Sequence, residues 1–268
     1  MPANGNETPR RAGTGKSLNS SIKTSFPLTI AENRKTSMIL AGFQKNSFID
    51  YPGKISCVLF VTGCNFICPY CHNADLARGE YPERIELETV LDFLASRQGM
   101  LEGVVITGGE PSLNKRIADL CGLIKTLGYP VKLDTNGSRP DVLGRLLDEH
   151  LVDFVAMDIK APLDRYHPFC VQPQIADRLM ESIRLIMASA PAYEFRTTCV
   201  KPFVDAAAMA TIAQTIQGAD RYVLQPFNRR AACLDPAFNG EPDPTLLPDA
   251  MGELKVVAEP FVGHCAIR

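Results

Sequence analysis

Three cysteines, Cys64, Cys68 and Cys71, stand within eight residues in the run Cys64-Asn65-Phe66-Ile67-Cys68-Pro69-Tyr70-Cys71-His72-Asn73, directly after an apolar stretch. Thiolates are soft ligands that select iron–sulfur clusters, zinc or copper(I) over hard cations, so this spacing points to a metal centre. The count of three narrows the choice. Structural zinc takes four protein ligands, commonly as two separated Cys-x-x-Cys pairs, whereas a four-iron cluster held by three cysteines leaves one iron open to a substrate. His72 is formally available as a fourth ligand, but adjacent residues seldom both reach one tetrahedral ion. A non-catalytic metal-binding or electron-transfer module is the weaker alternative.

A loop of this kind has to be delivered by something rigid, and residues 56–62 (SCVLFVT) read as a buried strand of the parallel type. Beyond the loop, Leu87, Val90, Leu91 and Leu94 fall at helical spacing within 86–97, and 103–107 (GVVIT) is a second strand. The alternation continues with strands over 131–134, 153–158, 193–200 and 221–225. Helices are predicted over 117–127, 141–149 behind Pro140, 174–188 and 206–216. Six strand–helix units require a parallel sheet joined by right-handed crossovers. Six are fewer than the eight of a closed barrel, so the expected fold is α/β, an incomplete and laterally open (β/α)6 barrel, that is, a partial TIM barrel. Its chemistry belongs at the carboxyl ends of the strands.

The unusual polar clusters fall at those ends: the cysteines after the first strand, Gly108-Gly109-Glu110 after the second, and Asp134-Thr135-Asn136-Gly137 after the third. Asp158 and Lys160 follow the fourth, and Gln225 and Asn228 flank the end of the sixth. Singly, each has a bland reading, as a glycine turn, an Asn-Gly turn or a structural ion pair. Together at one barrel mouth they read as a binding site.

With 268 residues, 46% hydrophobic content and a net charge of −2, the chain has material for a sizeable core and lacks the basic excess of a general nucleic-acid binder. It shows no apolar stretch of membrane-spanning length and no secretory signal, and its nine cysteines are odd in number, so the cytoplasm is the expected compartment. Residues 1–37 carry six Lys or Arg against two acidic residues, a net +4 that leaves −6 for the rest. Their Asn, Gly, Ser, Thr and Pro content predicts a disordered tail, with a transit peptide or an internal start at Met38 as further readings. The expected organisation is this tail, a catalytic core over 38–230, and an extension over 231–268 packed on the core. The extension is expected to contain a helix near 248–258 and an apolar edge stretch at 261–267.

The cysteine block resembles the cluster loop of the radical S-adenosylmethionine (SAM) enzymes, where an aromatic residue commonly precedes the third cysteine, as Tyr70 does here. Residues 44–76, QKNSFIDYPGKISCVLFVTGCNFICPYCHNADL, resemble the opening of the glycyl-radical-enzyme activases, most closely the anaerobic ribonucleoside-triphosphate reductase activating proteins. VITGGEP resembles the Gly-Gly-Glu motif of radical SAM enzymes, and the DTNG and DIK segments resemble motifs of the related pyruvate formate-lyase activating enzymes. The resemblance implies one 4Fe-4S cluster on Cys64, Cys68 and Cys71, reduced by an external one-electron donor such as flavodoxin or ferredoxin. The cluster would cleave SAM to a 5′-deoxyadenosyl radical, which would take hydrogen from a glycine of a partner glycyl-radical enzyme.

For the cofactor it implies Tyr70 near the adenine and Gly108, Gly109 and Glu110 at the amino group. Asn136, Lys160 and Gln225 would lie against SAM. Asp134, Thr135 and Asp158 would hold a monovalent cation that bridges to the SAM carboxylate. Asn228 stands where the family often has a histidine near the ribose, and it can hydrogen-bond a hydroxyl without titrating. A small-molecule or nucleobase substrate, as in the 7-carboxy-7-deazaguanine synthases, is the alternative within the same superfamily.

Overall fold

Apolar runs bounded by turn residues become the strands of one sheet. The computed structural model describes residues 39–81, 84–240 and 242–268, with Met1, so the readings for residues 1–37 and Met38 lie outside the described residues. Six parallel strands follow one another across the sheet: β3 (Ser56–Val61), β5 (Gly103–Gly108), β6 (Val131–Thr135), β7 (Phe154–Asp158), β8 (Tyr193–Cys199) and β9 (Tyr222–Pro226). The crossovers carry α2 (Leu87–Ser96), α3 (Ile117–Thr126), α4 (Pro140–Asp148), α5 (Ile175–Ser189) and α6 (Ala206–Thr215). This is the expected α/β architecture, with strand order equal to chain order.

Two strands extend the six. On one side β10 (Cys265–Ile267) pairs parallel with β9, after α7 (Pro248–Ala258). On the other, β2 (Gly42–Ser47) pairs antiparallel with β3. β2 is not legible in the sequence, where Asp50, Pro52 and Gly53 signal only a turn. Its central residues are exposed and its ladder is irregular between Gln44 and Ser47, so hydrophobic alternation, the usual signal of a strand, is absent. Also unpredicted are the single helical turn α1 (Ala74–Arg78) and a two-stranded ladder of β1 (Ile39–Leu40) with β4 (Ile85–Glu86). All these elements belong to one compact unit.

Alternation along each strand divides the side chains between two environments. On β7, Val155 and Met157 join the large core under the helices, while Phe154 and Ala156 join a small inner cluster with Tyr51, Val58 and Val105. Tyr51 packs on Phe154 with ring centroids 5.7 Å apart. The inner row of β7 thus starts apolar at Phe154 and ends at Asp158, while those of β6 and β8 pass through the buried Lys132 and Glu194 to Asp134 and Arg196. An apolar base and a charged upper tier are both written into the strands.

Candidate functional site

Backbone contacts first set where the cysteine loop sits. Gly63 N–H donates to Leu76 O (2.7 Å) and Cys64 N–H to Ala77 O (3.1 Å), so α1 closes the loop on itself. Gly109 N–H donates to Val61 O (3.0 Å) and Glu110 N–H to Gly63 O (2.8 Å), joining the ends of β3 and β5. A Cβ on Gly108, whose φ is +128°, would lie 2.2 Å from Val61 O, and one on Gly109 would lie 2.2 Å from Gly63 O. Two glycines stand here because two backbones meet with no room for a side chain.

Glu110 is buried beneath this junction. Its carboxylate accepts from Ser112 N–H (3.0 Å), Thr135 Oγ1 (2.8 Å) and Asn136 N–H (2.6 Å), and so holds the loop after β6 in place. Burial pushes its pKa up, against the lowering effect of those donors. Asn136 Nδ2 then donates to Asn65 Oδ1 (3.0 Å), and Asn65 Nδ2 donates to Ser138 Oγ (2.9 Å). Asn136 also donates to Cys64 Sγ at 3.8 Å, and Phe66 N–H to the same sulfur at 3.4 Å.

A cleft of about 270 Å³ opens at the strand ends. It is lined by Cys64, Cys68, Cys71 and Tyr70 from the loop, and by Gly108, Gly109, Asp134, Thr135, Asn136, Asp158, Lys160 and Gln225. Of the residues singled out from sequence, the structure therefore brings all but two to one cleft. Glu110 lies behind the wall, and Asn228 is exposed outside it, its Oδ1 accepting from Arg230 N–H (3.1 Å).

The three thiols fit a cluster. None is in a disulfide, and no fourth thiol lines the cleft. Among the described residues no three His, Cys, Asp or Glu side chains converge as they would on a single ion. A cubane cluster asks for something else, one thiolate on each of three irons, with the sulfurs standing around the group. Burial pushes the Cys64 thiol up to about 11 and the Cys68 thiol up to about 12, so iron has to displace protons to bind. His72 also lines the cleft, its ring stacked on Phe227 at 5.2 Å, and it does not converge with the thiols as a ligand of a single ion would. Tyr70 Oη is buried with no hydrogen-bond partner among the described residues, a polar demand left at the cleft wall.

Tyr70 itself is gripped by four phenylalanines, Phe169, Phe203, Phe227 and Phe238, at centroid distances of 5.9 to 6.4 Å. Phe238 belongs to the segment after β9, whose backbone straps the cysteine loop: Leu234 N–H donates to Cys71 O and Asp235 N–H to Pro69 O, both at 3.0 Å.

Sequence reasoning found Lys160 but missed the other two cations of the upper tier, Lys132 and Arg196. Arg196 donates from Nε to Asp158 Oδ1 (2.7 Å) and from Nη1 to Asp134 Oδ2 (3.3 Å). Lys160 Nζ donates to Asp158 Oδ2 (2.9 Å), and the buried Lys132 Nζ to Asp134 Oδ1. Burial raises the carboxyl pKa values, but Arg196 with Lys160 and Lys132 outweighs it and holds Asp134 and Asp158 below the ordinary range. The available signal was the polar alternation Lys132, Asp134 on β6 and Glu194, Arg196, Thr198 on β8, in strands that a two-sided parallel sheet otherwise fills with apolar residues. A monovalent cation at Asp134, Thr135 and Asp158, as expected from the resemblance, would have to share oxygens that already hold protein donors. All four carboxylate oxygens are engaged by protein cations, and Thr135 Oγ1 both donates to Glu110 and accepts from Gly137 N–H (3.1 Å).

The sequence pattern of the Radical SAM superfamily matches residues 58–198. A Methanocaldococcus jannaschii protein provisionally named a glycyl-radical enzyme activating enzyme is 34% identical over 238 residues, 86% of this chain and 95% of that one. The 7-carboxy-7-deazaguanine synthase of Hyperthermus butylicus is 30% identical over 124 residues, 44% of this chain and 51% of that enzyme. The fold is similar to that of native anSMEcpe with bound AdoMet, with a TM-score of 0.51 and 15% identity over 78% of this chain and 62% of that one. With the superfamily pattern spanning more than half its length and the strand-end cleft presenting three unpaired thiols, this chain belongs to the radical SAM superfamily, whose cofactors are a 4Fe-4S cluster and SAM.

Proposed function

We propose that this chain is the activase of a glycyl-radical enzyme, most directly of an anaerobic ribonucleoside-triphosphate reductase. The observation that carries the reading is likeness across 95% of the M. jannaschii protein named for such activation, which extends well past a shared superfamily core. The 44–76 run supports the reductase branch, and the DTNG and DIK segments support an activase more broadly.

When bound, the cluster supplies the electron that splits the SAM sulfonium and so yields the radical that takes hydrogen from the partner glycine. Cys64, Cys68 and Cys71 would hold the cluster. Lys160, Asp158, Asn136 and Gln225 would hold and orient SAM. Gly108 and Gly109 present backbone to the cleft, and Tyr70 with its phenylalanine surround keeps water from that side. Glu110 is assigned a positioning role through Asn136. In this reading residues 38–230 form the catalytic core, with 231–268 an extension packed on it. The electron donor is a flavodoxin or ferredoxin, and the compartment is the cytoplasm. Among the described residues no helix is long and apolar enough to cross a membrane.

The second reading, turnover of a small molecule or nucleobase, is favoured by the deazaguanine synthase match, which spans about half of that enzyme. Anaerobic incubation of the reconstituted protein with SAM, a strong reductant and candidate glycyl-radical enzymes separates the two. A glycine-centred doublet in electron paramagnetic resonance is expected on the reductase, and none with Cys68→Ala, which should also lack the brown cluster absorbance. SAM cleavage with no doublet on any candidate would overturn the activase reading.

A further inference from the structure

Three cationic side chains face two carboxylates beneath the cleft: Lys132, Lys160 and Arg196 against Asp134 and Asp158. Glu194, the next acid on the inner row of β8, is balanced by its own two cations, Arg268 (2.7 Å) and Arg221 (3.4 Å). The tier thus carries a surplus of one positive charge before any ligand enters. Lys132 is fully buried, two residues before Asp134 on the same face of β6, with its ammonium 5.8 Å from the centre of the Phe154 ring. A lysine ammonium is a compact point charge comparable in role to an alkali ion, and here it is tethered to the backbone next to the carboxylate that such an ion would use. A further cation would have to share carboxylate oxygens that each already hold a protein donor and enter a region already positive.

We propose that this chain binds SAM without an alkali-metal ion, the Lys132 ammonium and the Arg196 guanidinium supplying the fixed positive charge at Asp134 and Asp158. Lys132 and Arg196 are thereby positioning residues of the SAM site. The inference rests on SAM as the ligand and is independent of the identity of the final substrate.

The test measures SAM binding to the anaerobically reconstituted holoprotein by equilibrium dialysis in potassium, sodium or choline chloride at equal ionic strength. Affinities equal within about twofold are expected, which is under ~0.5 kcal/mol. A loss of about tenfold or more in choline, restored saturably by potassium or sodium, would overturn the proposal. Lys132→Met is expected to bind SAM about tenfold more weakly in choline than the parent and to recover with potassium. A variant that binds like the parent in every salt would remove Lys132 from the role. The cluster-free chain gives a second readout, a thermal midpoint equal in potassium and choline for the parent. If Lys132→Met does not fold, the parent salt series and this midpoint decide alone.

Discussion

Replacing Arg196 by methionine tests the physical account of the site most directly. The guanidinium ties β6, β7 and β8 together through Asp134 and Asp158, at 3.3 and 2.7 Å. Its side chain is 11% exposed, Asp134 is 14% and Asp158 29% exposed, so solvent screens these pairs only in part. Breaking a buried pair from one side costs about 3–5 kcal/mol because a charge is left uncompensated. Here each carboxylate keeps one lysine, and the Asp134 contact is long, so a loss of about 2–3 kcal/mol is the better figure.

Against a total stability of about 5–15 kcal/mol this is a large share, and it corresponds to a fall in thermal midpoint of roughly 4–12 °C for a domain of this size. Urea unfolding of the cluster-free protein, followed by circular dichroism, measures it as a lower midpoint at unchanged slope. The sign with pH follows from the carboxylates. Asp134 and Asp158 have folded-state pKa values below the unfolded value of about 3.9, so their stabilisation is full above about pH 5 and drains as the solution is acidified. Arg196→Met relaxes that depression, so the difference from the parent should be full at pH 6 and visibly smaller by about pH 3. A difference below about 0.5 kcal/mol at pH 6, or one that does not shrink on acidification, would refute the charge-pairing account.

Three further outcomes follow from packing. Gly109→Ala forces a methyl group against the Gly63 carbonyl and should cost about 3 kcal/mol and lower the iron retained after reconstitution, whereas Gly252→Ala, with open space inside α7, should gain up to about 1 kcal/mol in the same unfolding assay. Phe238→Ala removes the half-buried ring that joins Tyr70, Phe203 and Phe227, with an expected loss of about 2 kcal/mol and weaker cluster retention under chelator challenge; iron retention equal to the parent would show that the strap does not hold the cysteine loop.

What the sequence determined by itself was whatever is encoded within a few residues. The Cys-x-x-x-Cys-x-x-Cys spacing, the six buried runs and the turn clusters at their ends are local patterns. They suffice for a parallel α/β sheet with thiols and polar loops at one edge. The edge strand β2 escaped because its exposed middle, Gln44-Lys45-Asn46, carries no alternation and its place is set by pairing with β3.

Only the tertiary structure decided how the site residues divide their work. Glu110 sits in a motif that suggests ligand contact, yet the approach of β5 to β6 turns its carboxylate toward Thr135 and Asn136. Lys132 and Arg196 lie 64 positions apart in the sequence and become partners of one carboxylate because β6, β7 and β8 are neighbours in the sheet. Charge pairing across strands depends on register and on which face a residue takes, and neither is defined until the strands have found one another.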